Sequence, residues 1–98
     1  MDYGTTVMKA AAAGSFLLAA KFNPKRRSLL ISNYATNADY LALFLNSPSP
    51  SAYTQGTPIY PGNSISFEMG PDGKCEYQGD VYIGCNSTQN YAVTEISG

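Results

Sequence analysis

The chain has 98 residues, 44% of them apolar and only 13% charged, with a formal net charge of −1. That length holds one domain with a modest core, and a near-neutral chain has no global field to draw in nucleic acid or anionic lipid. It contains no His, which removes the Ser-His-Asp and Cys-His forms of nucleophilic catalysis.

A typical soluble domain carries about 25% charged residues. This surface is therefore built largely from Ser, Thr, Asn, Gln, Gly and Tyr, and such a surface resists association poorly. Eight Tyr, four Phe and no Trp favour strands over helices. In chain order, residues 1–14 read as an N-terminal arm: a loose start, a short strand around Thr5-Thr6-Val7-Met8, then an alanine connector ending at Gly14. The apolar run 10–20 behind Lys9 has the layout of a secretory leader, but Asp2 and a single Lys before it argue against one. The run is also too short for a membrane span, which takes about 20 residues.

A strand is expected over 15–21. After the turn that Asn23-Pro24 forces, another is expected over 28–33, with Leu29 and Ile31 on the core face. Residues 39–45 form a strand apolar on both faces: Leu41, Leu43 and Leu45 on one, Tyr40, Ala42 and Phe44 on the other. A strand with one wet face would alternate, so both faces are covered, by this chain or by another subunit. The Pro- and Ser-rich segment 46–56, with Tyr53, is the longest irregular stretch, either a contact loop or a solvated connector.

A short edge strand at 57–60 leads into Pro61-Gly62, placed for a type II turn. Then come 64–69 with Ile65 and Phe67 on one face, the turn Gly70-Pro71-Asp72-Gly73, and strands at 74–77 and 80–85. In 80–85, Val81, Ile83 and Cys85 face inward; a polar turn at 86–90 precedes the last strand, 91–96. About eight short strands punctuated in this way define an all-β fold. The spacing suits a sandwich or a barrel, and the expectation carried forward is a single small β-sandwich, jelly-roll or Greek-key-like, over 15–98 behind the arm.

Cys75 and Cys85 read as two buried thiols, with a hairpin-closing disulfide as the alternative; two thiolates without His are only half of a zinc shell. Glu68 and Glu76 flank one hairpin at solvated positions, which does not make a glycosidase pair. Asp72, Glu76 and Asp80 lack EF-hand spacing, and no Gly-rich phosphate loop occurs. The chain is read as non-enzymatic, with no catalytic residue, metal or cofactor.

The one concentration of charge is the turn where Lys21, Lys25, Arg26 and Arg27 supply four of the six cations. Lys25, Arg26, Arg27, Tyr40, Phe44 and Tyr53 are the candidate partner contacts, with the cations suited to a carboxylate-rich surface. The competing reading pairs Arg26 or Arg27 with Asp39 or another carboxylate of the same fold.

The run Asn23-Pro24-Lys25-Arg26-Arg27-Ser28-Leu29-Leu30-Ile31-Ser32-Asn33 resembles the NPxRxxLxIxN stretch of small virion proteins of tailed bacteriophages. The resemblance continues in order. Residues 39–44 are similar to their aromatic second strand, Pro61-Gly62-Asn63-Ser64 to their PGxS turn, Tyr77-Gln78-Gly79-Asp80-Val81-Tyr82 to their YxGxVY strand, and Val93-Thr94-Glu95 to their closing strand. It spans about residues 17–98; the 46–56 loop and the two Cys depart from it. It implies a non-enzymatic β-sandwich that decorates the outer surface of the phage head as a cement protein. The implied partners are the major capsid protein and copies of the chain itself, as a homotrimer, with neither nucleic acid nor membrane. It would be made in the bacterial host cytoplasm. The alternative within the resemblance is a head-fibre or tail-associated module that binds host glycan, through Tyr34, Asn37 and Asp39 or through Tyr53 and Gln55.

Overall fold

The computed structural model describes residues 3–12, 14, 16–45 and 56–97. Eight strands are present: β1 Tyr3–Ala11, β2 Phe16–Ala20, β3 Arg26–Asn33, β4 Leu41–Leu45, β5 Thr57–Ile59, β6 Ser64–Phe67, β7 Val81–Cys85 and β8 Gln89–Ser97. They form two four-stranded antiparallel sheets, ordered β1-β8-β3-β6 and β2-β7-β4-β5. β1 pairs with β8, β2 with β7, β3 with β6 and β4 with β5. This is a long hairpin folded back on itself, with successive strand pairs laid alternately in the two layers, the strand order of a jelly roll.

The expected β-sandwich is what forms, with one change at its start. Residues 3–11, read from sequence as arm, are a nine-residue strand paired along its whole length with β8, from Tyr3↔Ser97 to Ala11↔Gln89. The sandwich therefore begins at β1. A second change is at 74–77, where only an isolated bridge, Met69↔Cys75, replaces a strand. β8 also starts earlier than the alternation at 91–96 predicts, because Gln89 is buried and takes part in the sheet.

The core lies between the layers. Leu29 and Ile31 of β3, Leu41 and Leu43 of β4, and Val81, Ile83 and Cys85 of β7 are all buried in it. Burying a side chain of that size contributes about 1.5–3 kcal/mol relative to exposure. Cys75 and Cys85 are buried thiols that are not joined in a disulfide. The turn at 60–63 has the predicted chemistry: Asn63 N donates to the Tyr60 carbonyl at 3.0 Å, and Gly62 takes φ +85°, where a side chain would be strained.

The second face of β4 is covered by the same chain. Ala42 and Phe44 point away from the core yet are buried. The Phe44 ring meets Phe16 edge-on at 5.8 Å between centroids, and the two rings close over Gly84. A Cβ at Gly84 would lie 2.6 Å from the Phe16 ring and 3.3 Å from Phe44. Gly84→Ala is expected to cost about 1–3 kcal/mol of unfolding free energy. In a Phe16→Ala background most of that cost should vanish; equal costs in both backgrounds would show that the ring contact is not its source.

A candidate partner-binding patch at the basic turn

The basic turn is built from Asn23. Its carbonyl accepts from Arg26 N at 3.1 Å and its side-chain Oδ1 from Lys25 N at 3.0 Å, closing a tight turn over Pro24. The turn is then anchored from outside. Asn23 N donates to the Gln78 carbonyl, Gln78 Nε2 to the Pro24 carbonyl, and Asn23 Nδ2 to Ser97 Oγ.

Arg26 leaves this turn for the interior. It is fully buried, and its Nε donates to Glu95 Oε2 at 2.7 Å. Nη1 donates to the carbonyls of Tyr77 and Gly79, each at 3.1 Å, and Nη2 to that of Lys21 at 2.7 Å. A buried guanidinium is tolerable only when its fork of donors is satisfied in this way. Arg26 is therefore withdrawn from the candidate partner contacts. The own-fold pairing holds for it, with Glu95 as the carboxylate and not Asp39.

The opposite faces of neighbouring cations follow from a bulge. β3 shifts register against β8 between Arg26↔Ser97 and Ser28↔Ile96. The extra residue puts Arg26 on the core face with Ser97 and Glu95, where strict alternation would have placed it outward with Ser28 and Leu30.

Lys25 is exposed and Arg27 half-buried at the rim of the turn, and a third cation joins them. The hairpin tip Gly70-Pro71-Asp72-Gly73 is closed by Gly73 N to the Gly70 carbonyl at 3.1 Å and by Lys74 N to Asp72 Oδ1 at 3.1 Å. Cys75 N donates to the Arg26 carbonyl at 2.9 Å, docking this hairpin beside the turn. The result is a surface pocket of about 300 Å³ lined by Pro24, Lys25, Arg27, Asp72, Gly73 and Lys74, with Arg26 behind. Lys74 was missed by the sequence reading; its only local signal was the tight turn before it. The patch suits a carboxylate-bearing or other anionic surface.

The other candidates are elsewhere. Tyr40 is half-buried at the far end of the sandwich, where its ring meets the exposed Tyr60 at 5.4 Å. Phe44 is buried against Phe16 and is not available to a partner in this conformation. Tyr53 lies outside the described residues, with the rest of 46–55. Asn37 and Asp39, considered for glycan, hold the chain's own loops: Asn37 Oδ1 accepts from Gln89 Nε2 at 3.0 Å, and Asp39 Oδ2 from Ser87 Oγ at 2.8 Å. Glu68 and Glu76 are exposed. Among the described residues no group of three or more His, Cys, Asp or Glu is placed to hold a metal, and no helix is long and apolar enough to cross a membrane.

No family model, curated protein or solved structure matches the chain.

Two consequences are measurable. Arg26→Met should lower unfolding free energy by about 3–5 kcal/mol, because Glu95 is left without its cation. Lys25→Ala should change it by no more than about 0.5 kcal/mol in the same urea titration. The second concerns Tyr77 and Tyr91. Burial pushes both phenols above the ordinary 10; at Tyr77 the Asp80 charge adds to the rise and Arg26 opposes it. The unfolded chain then ionises first, so this stability is intact below about pH 10 and is lost as pH rises through the folded values. Unfolding titrations from about pH 8 to 11 should show that loss, and Tyr77→Phe should reduce its steepness.

Proposed function

We propose that this protein is a non-enzymatic structural component of a tailed-phage particle. It decorates the outer surface of the head as a cement protein, docking on the major capsid protein and packing with copies of itself, three being the number the resemblance implies. It is made in the bacterial host cytoplasm and takes its place on the head from there. The ordered sequence matches beginning at Asn23 support this reading. The structural observation that carries it is the anchored turn holding Lys25, Arg27 and Lys74 around one pocket. Cations preset on a rigid turn dock on carboxylates without the cost of ordering a loop. A protein that binds the assembled shell and not its separated subunits stabilises the shell by mass action. Jelly rolls recur in viral capsid and in lectin domains, so the fold alone does not choose between cement and glycan binder.

The aromatic pair Tyr40–Tyr60 at the far end supports the glycan-binding alternative, since a sugar ring packs on such faces.

Heads lacking the chain should be less stable to heat and to low salt than complete heads, and adding the purified chain should restore them. Lys25→Ala/Arg27→Ala/Lys74→Ala should lower occupancy on such heads several-fold at about 0.1 M salt and flatten its salt dependence. Equal stability of heads with and without the chain would overturn the cement reading. Glycan binding abolished by Tyr60→Ala would establish the alternative.

A further inference from the structure

The two lateral sides of the sandwich differ. On the β5/β6 side the core is closed: Ile59 is 1% exposed, and Ile65 and Phe67 pack on the core beside Tyr77. On the β1/β2 side it is open. Register places Val7 opposite Val93 and Leu17 opposite Ile83, so both belong to inward faces. Yet Val7 is 42% and Leu17 38% exposed. Between the two edge strands runs a groove of about 180 Å³, floored by Ala19, Ala20 and Val93 and flanked by Val7, Lys9 and Lys21.

β1 itself is a nine-residue edge strand whose only charged residue is Lys9. One side of its backbone is paired with β8, and the other is a template for a further strand.

We propose that β1 pairs antiparallel with β1 of a second copy of this chain, about a two-fold axis through Val7. This register overlaps residues 4–10 and is compatible with itself; Ala11, fully buried with its carbonyl accepting from Cys85 Sγ at 3.7 Å, lies outside the open edge. By register Val7 falls opposite Val7 and position 6 opposite Met8. Lys9 falls opposite Thr5 of the second copy, so no like charges face each other across the pair. Thr5 in turn pairs with Glu95 in β8. The row therefore runs Lys9 of one copy, Thr5 of the other, then Glu95. Two strand spacings, about 10 Å between Cα atoms, separate that lysine from the carboxylate. Within one copy Lys9 is four positions along the strand from Thr5, about 13 Å. Each copy thus offers a cation to the other's Glu95 side chain, which is 30% exposed. The pair joins the two β1-containing sheets into one and brings Val7 of both copies to the mouth of the groove. This contact joins copies in pairs, which a ring of three does not require, and it does not depend on the protein being a head component.

Sedimentation of the purified chain across a concentration series tests it. A monomer–dimer equilibrium is expected, and Val7→Lys, which sets like charges face to face on the axis, should shift it at least tenfold toward monomer while the circular dichroism spectrum is unchanged. Val7→Cys keeps the edge intact. It should form a cross-linked dimer under mild oxidation at least tenfold faster than Leu30→Cys, a control on the exposed outer face of β3, because Cys75 and Cys85 are buried. A chain that stays monomeric to about 1 mM, an oligomer that Val7→Lys leaves intact, or equal cross-linking at the two positions would each overturn the proposal.

Discussion

The buried guanidinium of Arg26 is the constraint on which one end of this molecule depends. Arg26 opens β3 in the first sheet and is ionically tied to Glu95 of β8 in that sheet. Its remaining donors reach Lys21, just past β2, and Tyr77 and Gly79, on the approach to β7. Both destinations lead into the second sheet, so one side chain fastens the two layers where apolar packing runs out. Lysine could not replace it, because a single ammonium lacks the planar fork that reaches four acceptors at once. Gly79 fits the same cluster: a Cβ there would lie 2.6 Å from the Tyr77 hydroxyl.

The opposite end is closed by neutral amides. Asn33 Nδ2 donates to the Ile59 carbonyl at 2.8 Å and to Gln89 Oε1 at 3.1 Å, and Gln89 Nε2 passes the chain of bonds on to Asn37. Among the described residues no buried side-chain nitrogen or oxygen lacks a partner. Half-satisfied networks of this kind cost more than an apolar core, and complete ones specify a single arrangement. The apolar core therefore lies between two polar clasps. The loops they hold, the basic turn at one end and the Tyr40–Tyr60 pair at the other, are displayed on a stiff body.

A low-charge surface has different consequences on its different faces. Every cation of the chain lines one of two grooves: Lys25, Arg26, Arg27 and Lys74 at the turn, Lys9 and Lys21 at the open side. Outside those grooves the described surface meets water with hydroxyls, amides, scattered apolar side chains and a few carboxylates such as Glu68 and Glu76. Such a surface does not repel copies of itself, and the few charges present bear on orientation more than on solubility.

Much of this was legible before any fold was known. The alternation that put Leu29, Ile31, Val81, Ile83 and Cys85 inward is a two-residue period, and the type II turn at Pro61-Gly62 is a four-residue motif. Both are local, so the sequence by itself determined them, along with the all-β class. The basic turn was legible as a concentration of charge, but its cations could not be sorted into surface and interior. A bulge at the start of β3 reverses the face that counting assigns to Arg26, and its carboxylate is 69 positions away. The same limit hid the pairing of β1 with β8, the approach of Lys74 to the basic turn, and the cover that Phe16 lends Phe44. Each joins segments distant in sequence. Which segments meet is decided when the folded hairpin closes as a whole, with burial and hydrogen bonding satisfied in both sheets together, and no local pattern of residues records that outcome.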